Sequence, residues 1–394
     1  MRVIVVHNAY QQRGGEDSVV AEEALLLEQH GHVVATYSRH NDELLTRAQH
    51  AAAFEAVWSR RTVRDINAQI ARFQPDLIHV HNTFPLISPS VYHAAARARI
   101  PVVQTLHNFR LVCPQGMLLR EGRPCEDCIG RLPWRGVMHR CYRGSYGQSA
   151  VLVAMTGIHR VLGTYDRCVT RYIALSQFSK EKIVQTGVAP SRVAVKPNFV
   201  DLPAPPSYGE RGGGLFVGGL SVEKGTRVLA AAAIGHARIR IIGTGPEEEQ
   251  LAAVAGIELL GWQAPATVYA HMRQASYLVL PSVCYENFPR VIVEAFACGT
   301  PVIASRLGAI KEIVQDGYNG LLFEPSDPGD LGRKIRWAEA HPNEMRRMGE
   351  SARKEYELKY TARANIALLE AIYRDALGAH SGTGTGAAYH VADS

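Results

Sequence analysis

The sequence predicts an α/β protein built from two doubly wound, Rossmann-like domains that face each other across a cleft. Short runs rich in Val and Ile, without polar alternation, recur between longer amphipathic stretches. That is the pattern of parallel strands buried on both faces and joined by crossover helices. A Pro- and Gly-rich stretch, Leu202-Pro203-Ala204-Pro205-Pro206-Ser207 with Gly209 and Gly212-Gly213-Gly214, divides the chain into nearly equal halves. Each half opens with a strand followed by a glycine pair, Gly14-Gly15 and then Gly218-Gly219. A length of 394 residues exceeds one ordinary core, and 46% hydrophobic with 20% charged residues suffices to build two.

In chain order, the first half offers strands at Val3–His7, Val33–Ser38, Asp76–His81, Pro101–His107 and Tyr172–Ser176, with helices at Asp17–His30 and Arg61–Arg72. The second half repeats the theme: strands at Gly214–Gly218, Arg238–Ile242, Tyr277–Pro281 and Pro301–Ser305, with helices at Gly225–Ala233 and Leu331–His341. These divide the chain into an N-terminal Rossmann-like domain over 1–198, carrying a Cys-bearing insert at 110–143, and a C-terminal Rossmann-like domain over 199–360. A last helix at 361–376 presents Ile366, Leu369, Ile372 and Tyr373 at helical spacing and is expected to pack back on the first domain. Residues 377–394, rich in Gly, Ala, Ser and Thr, are expected to be a disordered tail.

Composition excludes several classes. Forty-three Lys and Arg against 37 Asp and Glu give a charge of +6, too small for a strongly basic nucleic-acid binder. Thirty-five Gly and 20 Pro occur without period, which removes collagen-like and low-complexity readings. Seven Cys are too sparse for a disulfide scaffold. The N-terminal apolar run is too short for a signal peptide, and Ala150–Ile158 is too short to span a bilayer. Cytoplasmic residence is therefore expected, where thiols stay reduced and clustered Cys read as metal-binding or reactive.

The segment Ser282 to Pro301 carries the most chemistry. It reads strand, loop, helix, glycine stop, strand, with Pro289 suited to the first helical position and Gly299 to a left-handed cap. Glu286 then lies in the loop and Glu294 about one and a half turns into the helix. Free backbone N–H groups around Asn287 to Arg290 lie between them and suit an anion. Two carboxylates flanking an anion site fit a nucleotide sugar; two solvated acids beside a helix start are the alternative. Lys224, at the start of the helix after Gly218-Gly219, opposes the helix dipole unless it serves an anion. Gly243-Thr244-Gly245-Pro246 precedes three glutamates that would repel phosphate, so it suits the rim of a base site. Nothing in these residues names the base, the sugar or the acceptor.

With these motifs in order, the chain resembles retaining glycosyltransferase family 4, of GT-B architecture. The resemblance rests on Glu-x7-Glu, here Glu286 to Glu294, and on Glu223-Lys224-Gly225, Gly243-Thr244-Gly245-Pro246 and Asp316 to Phe323. In the first half, Gly14-Gly15 and Leu106-His107-Asn108 match the family's glycine loop and cleft histidine. It covers roughly residues 1–375. The resemblance implies transfer of a hexose-type sugar from a nucleotide diphosphate sugar to a glycan or polyprenyl-diphosphate-linked acceptor, in cell-surface polysaccharide biosynthesis. It implies no catalytic metal and retention by a same-face mechanism. It assigns catalysis to His107 and Glu286. Donor binding falls to Gly14, Gly15, Gly219, Lys224, Asn287, Phe288, Arg290 and Glu294, with Glu294 on the ribose. The family commonly has Arg where this chain has Gly219; Arg290 is the candidate replacement.

The insert carries Cys113-x11-Cys125-x2-Cys128-x12-Cys141, a set of thiols able to close a tetrahedral structural zinc site, with free or redox thiols as the alternative. A similar insert marks a bacterial polysaccharide subgroup of the resembled family. Seven arginines between Arg110 and Arg143 oppose Glu121, Glu126 and Asp127, so +4 of the chain's charge lies here, beside Leu132-Pro133-Trp134. That mixture suits an anionic membrane surface, which would make the protein peripheral on the inner face of the plasma membrane; a solvated basic loop is the alternative. A dehydrogenase is disfavoured because no Gly-x-Gly-x-x-Gly follows Val3–His7. A sugar-nucleotide epimerase, a phosphorylase, or a non-catalytic zinc protein remain as competing functions.

Overall fold

The computed structural model describes residues 1–12, 14–203, 211–233 and 238–380. The first sheet contains β1 (Arg2–Ala9), β2 (Val33–His40), β3 (Leu77–Asn82) and β4 (Val102–Leu106). A small antiparallel hairpin, β5 (Leu119–Arg120) and β6 (Arg123–Pro124), lies in the insert before β7 (Arg171–Ala174) and β8 (Val193–Val195) complete the sheet. The order is β2-β1-β3-β4-β7-β8, all parallel. The second sheet contains β9 (Gly214–Val217), β10 (Ile239–Ile242), β11 (Ile257–Leu259), β12 (Tyr277–Leu280), β13 (Val302–Ser305) and β14 (Gly320–Phe323). Its order is β11-β10-β9-β12-β13-β14, the Rossmann arrangement, whereas the first sheet has the flavodoxin-like order. In each sheet the chain direction across the sheet reverses beside its first strand, between β1 and β3 and between β9 and β12. Ligands of such sheets bind outside the carboxyl ends of the strands at that point.

Burial explains why these strands lack polar alternation. Ile4 and Val6 enter one core with Ile78, Val80 and Val102, while Val3 and Val5 enter the opposite one with Leu77, Val103 and Ile173. Each fully buried aliphatic side chain contributes about 1.5–3 kcal/mol, so both faces must be covered. The second cover comes from the far end of the chain. The helix Ala362–His380 places Ile366, Leu369, Ile372 and Tyr373 against β1, β4 and β7. Its Tyr373 hydroxyl lies 2.7 Å from His79 Nδ1, and Asp375 pairs with Arg171. The helix continues through Leu377 to His380, so the expected tail does not begin at 377: Ala376 is fully buried and the next turn follows it. Residues 381–394 lie outside the described residues.

The loop after β9 lies hard against the ends of its neighbours. Gly225 has φ +73, and a Cβ there would sit 1.8 Å from the Pro281 carbonyl oxygen. Gly243 has φ +141, with a Cβ position 1.9 Å from the Gly218 oxygen. Only glycine tolerates both demands. The Gly243-Thr244-Gly245 turn is therefore glycine-rich for backbone packing, which physically accounts for it without a ligand.

Candidate functional site

The segment after β12 folds almost as read. Pro289 caps the helix Arg290–Ala297 instead of occupying its first turn, and Gly299 closes it at φ +65. Glu286 precedes the helix in the loop, and Glu294 is within it. Between the sheets' carboxyl ends lies a pocket of about 330 Å³. Gly15, Glu16 and His107 form its N-terminal wall; Gly218, Gly219, Lys224, Glu286, Phe288 and Arg290 form the opposite wall. Val217 and Leu280 floor it at the β9–β12 switch point.

Lys224 and Glu286 meet there as an ion pair, Nζ to Oε1 2.7 Å, and Ser282 Oγ donates to the same oxygen at 2.8 Å. Burial works against the Lys224 charge, yet the adjoining carboxylate outweighs it and raises the pKa. Arg290 is not solvated. Its Nη2 donates to Glu22 Oε1 on the first domain at 2.7 Å, and its Nε lies 3.2 Å from Glu294 Oε1. Its Nη1 is buried with no hydrogen-bond partner. An unsatisfied guanidinium N–H beside the Lys224 pair leaves one strong donor for an incoming anion.

Three predicted donor residues stand away from the pocket lining. Glu294 is half-buried beside Arg290, and desolvation raises its pKa. Gly14 caps the first helix, its N–H donating to Asp17 Oδ2 at 2.7 Å. Asn287 binds the other domain: its Nδ2 donates to the Leu106 carbonyl, its Oδ1 accepts from Ser179, and its own carbonyl accepts from Ser176 at 3.1 Å. The Asn287 side chain is thereby committed to joining the domains, which corrects its expected place among groups facing the donor. Gly15 and Phe288 do line the pocket, Phe288 as an apolar wall packed on Tyr360.

His107 follows β4 and is supported by a polar ladder that sequence reasoning missed. His107 Nε2 lies 2.9 Å from His81 Nδ1, and the His81 ring lies tilted against His79 with centroids 4.2 Å apart. His79 in turn contacts Thr105 and Tyr373, both at 2.7 Å. Glu23 lies 3.4 Å from His79 and 2.8 Å from the buried Lys196. Burial first, and then His7, Lys196 and His79, hold the His107 pKa well below the usual histidine range. Burial first, and then His79 and His107, likewise hold His81 well below the usual range. His81 Nε2 is buried and unpaired. A hidden N–H is costlier than a hidden lone pair, so the network assigns the His81 proton to Nδ1, donated to His107 Nε2. His107 then carries its own proton on Nδ1. The signal was in β3, where His79, His81 and Asn82 interrupt an otherwise apolar buried run.

The four insert cysteines share one small pocket with His139 and Asp127. Cys113 and Cys128 are buried, and all four are free. Burial, reinforced by the other three thiols, pushes Cys128 up to about 11. Among the described residues, the group whose potential ligand atoms all lie within 4.8 Å of one another is Glu23, His79 and His81, not the thiols. Lys196 bonds Glu23 Oε2, Tyr373 and Thr105 bond the two His79 nitrogens, and His107 bonds His81 Nδ1, so most of the trio's polar atoms serve a hydrogen-bond network, with Glu23 Oε1 and His81 Nε2 left unpaired.

Two facing Rossmann-like sheets with a switch-point pocket between them define a GT-B protein. Residues 13–203 match the family described as Glycosyltransferase Family 4, and residues 213–340 match the family described as Glycosyl transferases group 1. Together they cover most of the chain, which belongs to the family 4 type of GT-B glycosyltransferases. Similar proteins include an uncharacterized glycosyltransferase of Methanocaldococcus jannaschii, 32% identical over 212 residues, covering 52% of this chain and 59% of that protein. A D-inositol 3-phosphate glycosyltransferase of Streptomyces bingchenggensis is 28% identical over 303 residues, covering 70% and 62%. The chain thus spans roughly three-fifths of the length of these relatives. Among solved structures, Anabaena HepE in complex with UDP superposes with a TM-score of 0.64 at 18% identity, covering 95% of this chain and all of that one.

Proposed function

We propose that this protein is a retaining glycosyltransferase that moves a hexose-type sugar from a nucleotide diphosphate sugar, with UDP as the first nucleotide to test, to a glycan or lipid-linked acceptor. The observation that carries the reading is one pocket lined by the Lys224–Glu286 pair, the partly unpaired Arg290 and the neutral His107. Lys224 and Arg290 suit a diphosphate, and their charge would stabilise it as it leaves. Glu286, freed from Lys224 by the phosphates, would take sugar hydroxyls, and His107 would donate to the sugar from the opposite wall. Glu294 reaches a ribose only if Arg290 moves off it onto phosphate.

Retaining glycosidases place two carboxyl groups about 5 Å apart, one of them a nucleophile. Here the motif's second carboxyl, Glu294, is assigned to the ribose, which leaves no evident nucleophile for a double displacement, so a same-face route is preferred. The bond from the sugar's anomeric carbon to phosphate oxygen breaks, the bond to the acceptor oxygen forms, and the acceptor proton passes to the departing phosphate. The test is NMR of the product formed from UDP-glucose or another UDP-hexose. An axial donor bond must yield an axial product; an inverted product or a trapped adduct on Glu286 overturns the mechanism.

A role in cell-surface polysaccharide synthesis at the inner face of the membrane belongs to the same proposal. Support comes from the insert and the helix after it, where exposed Trp134 and Tyr146 lie against Arg135 and Arg140 and where Met138 is exposed as well. Apolar side chains ringed by arginine suit anionic headgroups. No helix among the described residues is long and apolar enough to cross a membrane. Zinc is proposed for Cys113, Cys125, Cys128 and Cys141, where four thiolates would close a structural site and draw the sulfurs to ~3.8 Å of one another. Metal analysis finding no zinc in protein with four free thiols would reject it.

A further inference from the structure

A second, smaller pocket of about 50 Å³ opens on the other side of His107, within the first domain. Arg110 lines it together with His81, Asn82, Phe84, His107 and Asn108. The Arg110 guanidinium stacks on Phe84, 4.7 Å from the ring centre, and faces Tyr142 at 5.7 Å. Its Nε and Nη1 are buried and have no hydrogen-bond partner. It forms no ion pair among the described residues. Arginine stays protonated under all ordinary conditions, and a buried guanidinium without an acceptor is rare because each unmatched N–H loses its water. Aromatic contacts hold the charge but leave the in-plane N–H groups unmatched.

The complementary orphan stands across His107. Glu16 lines the interdomain pocket, its Oε2 accepting from the Tyr10 hydroxyl at 2.9 Å while its Oε1 is buried and unpaired. Arg110 and Glu16 sense each other electrostatically without a hydrogen bond. His107 lines both pockets, so an unmatched donor on Arg110 and an unmatched oxygen on Glu16 each stand in a pocket that His107 borders.

We propose that Arg110 and Glu16 form an acceptor subsite that selects an acceptor bearing an acidic group, phosphoryl or carboxylate, next to the hydroxyl that is glycosylated. Arg110 takes the oxyanion through its fork, and Glu16 takes the hydroxyl beside His107. The proposal rests on the glycosyltransferase reading above and names the acceptor's chemistry within it.

The experiment is isothermal titration of the full chain with inorganic phosphate and, separately, with D-glucuronate, at constant ionic strength and with UDP saturating the donor side. The wild type is expected to bind at least one of them, and R110Q to bind it at least about tenfold more weakly, with UDP affinity unchanged. R110K keeps the charge and stem but loses the fork, so it should fall between the two. Preference for phosphate assigns a phosphorylated acceptor; preference for glucuronate assigns a uronic acid. Equal affinities in wild type and R110Q, or no binding of either anion by the wild type, overturn the proposal. Failure to bind UDP would sink the donor reading instead, and the difference between wild type and R110Q in nucleotide-free titrations would still report on Arg110.

Discussion

Substitution of Lys224 by Ala separates the two charges that meet beneath the proposed diphosphate site. In the wild type, Lys224 and Glu286 neutralise each other at 2.7 Å, so the pocket meets a donor with little net charge. K224A leaves a carboxylate, supported only by Ser282, facing the phosphates. Two like charges ~5 Å apart at an effective dielectric of ~20 repel by about 3 kcal/mol. The Lys224 side chain is 34% exposed, so screening reduces that figure. A loss of about 1.4–2 kcal/mol, ten- to thirtyfold in UDP affinity, is expected. E286Q has the opposite sign: it releases Lys224 and should leave UDP binding equal or tighter while turnover falls. The double substitution should bind UDP better than K224A alone. Calorimetric titration of the four proteins reads this directly. If K224A and the double variant bind UDP equally weakly, the pair does not govern diphosphate binding and the electrostatic argument is wrong.

G225A places a side chain at φ +73 and into the Pro281 carbonyl; a loss of at least ~2 kcal/mol in urea unfolding is expected, and an unchanged midpoint would show the loop free to move. H81A removes the donor to His107 Nε2. Nitrogen-15 NMR should then show His107 leaving the Nδ1–H tautomer, with kcat down about tenfold and partial rescue by H81Q. Retention of the tautomer in H81A would refute the ladder. Glu16 is pushed up to about 7, chiefly by burial, with Arg110 opposing. The native state therefore holds a proton that the unfolded chain releases near pH 4.5, so this contribution to stability is full below that and is lost as pH rises through about 7. E16Q should flatten the fall in thermal midpoint between pH 5 and 7.5; an identical pH profile would show Glu16 titrating normally.

Much of the architecture was legible because both sheets are buried on both faces. Val3 through Val6 and Tyr277 through Leu280 each supply unbroken apolar runs, which only a covered parallel sheet explains. Short strands escaped: β8 and β11 are three residues each, too brief for periodicity to register. The last helix was expected to stop at 376 because Gly378 and the composition beyond it argue against helix; packing of Ala376 and Tyr373 in the first domain's core carries it to His380. In the site, Lys224, Glu286 and His107 were found from local motif context. Asn287 was named there as a donor-binding residue, but its interdomain role was not foreseen, since its partners Leu106 and Ser179 belong to the other domain and no local pattern encodes that meeting. Arg110 was read only as one arginine of the basic insert and Glu16 was not singled out, because only the fold brings both into pockets that His107 lines.

In the proposed reaction the interdomain pocket cleaves a nucleotide diphosphate sugar. Chromatography of reactions with a panel of UDP- and GDP-hexoses tests it most directly, with wild type and E286A compared under identical conditions. Wild type is expected to release the nucleoside diphosphate from at least one donor in the presence of an acidic saccharide or membrane extract, and E286A to do so at least about a hundredfold more slowly. No release from any donor, or release unchanged by E286A, would contradict it.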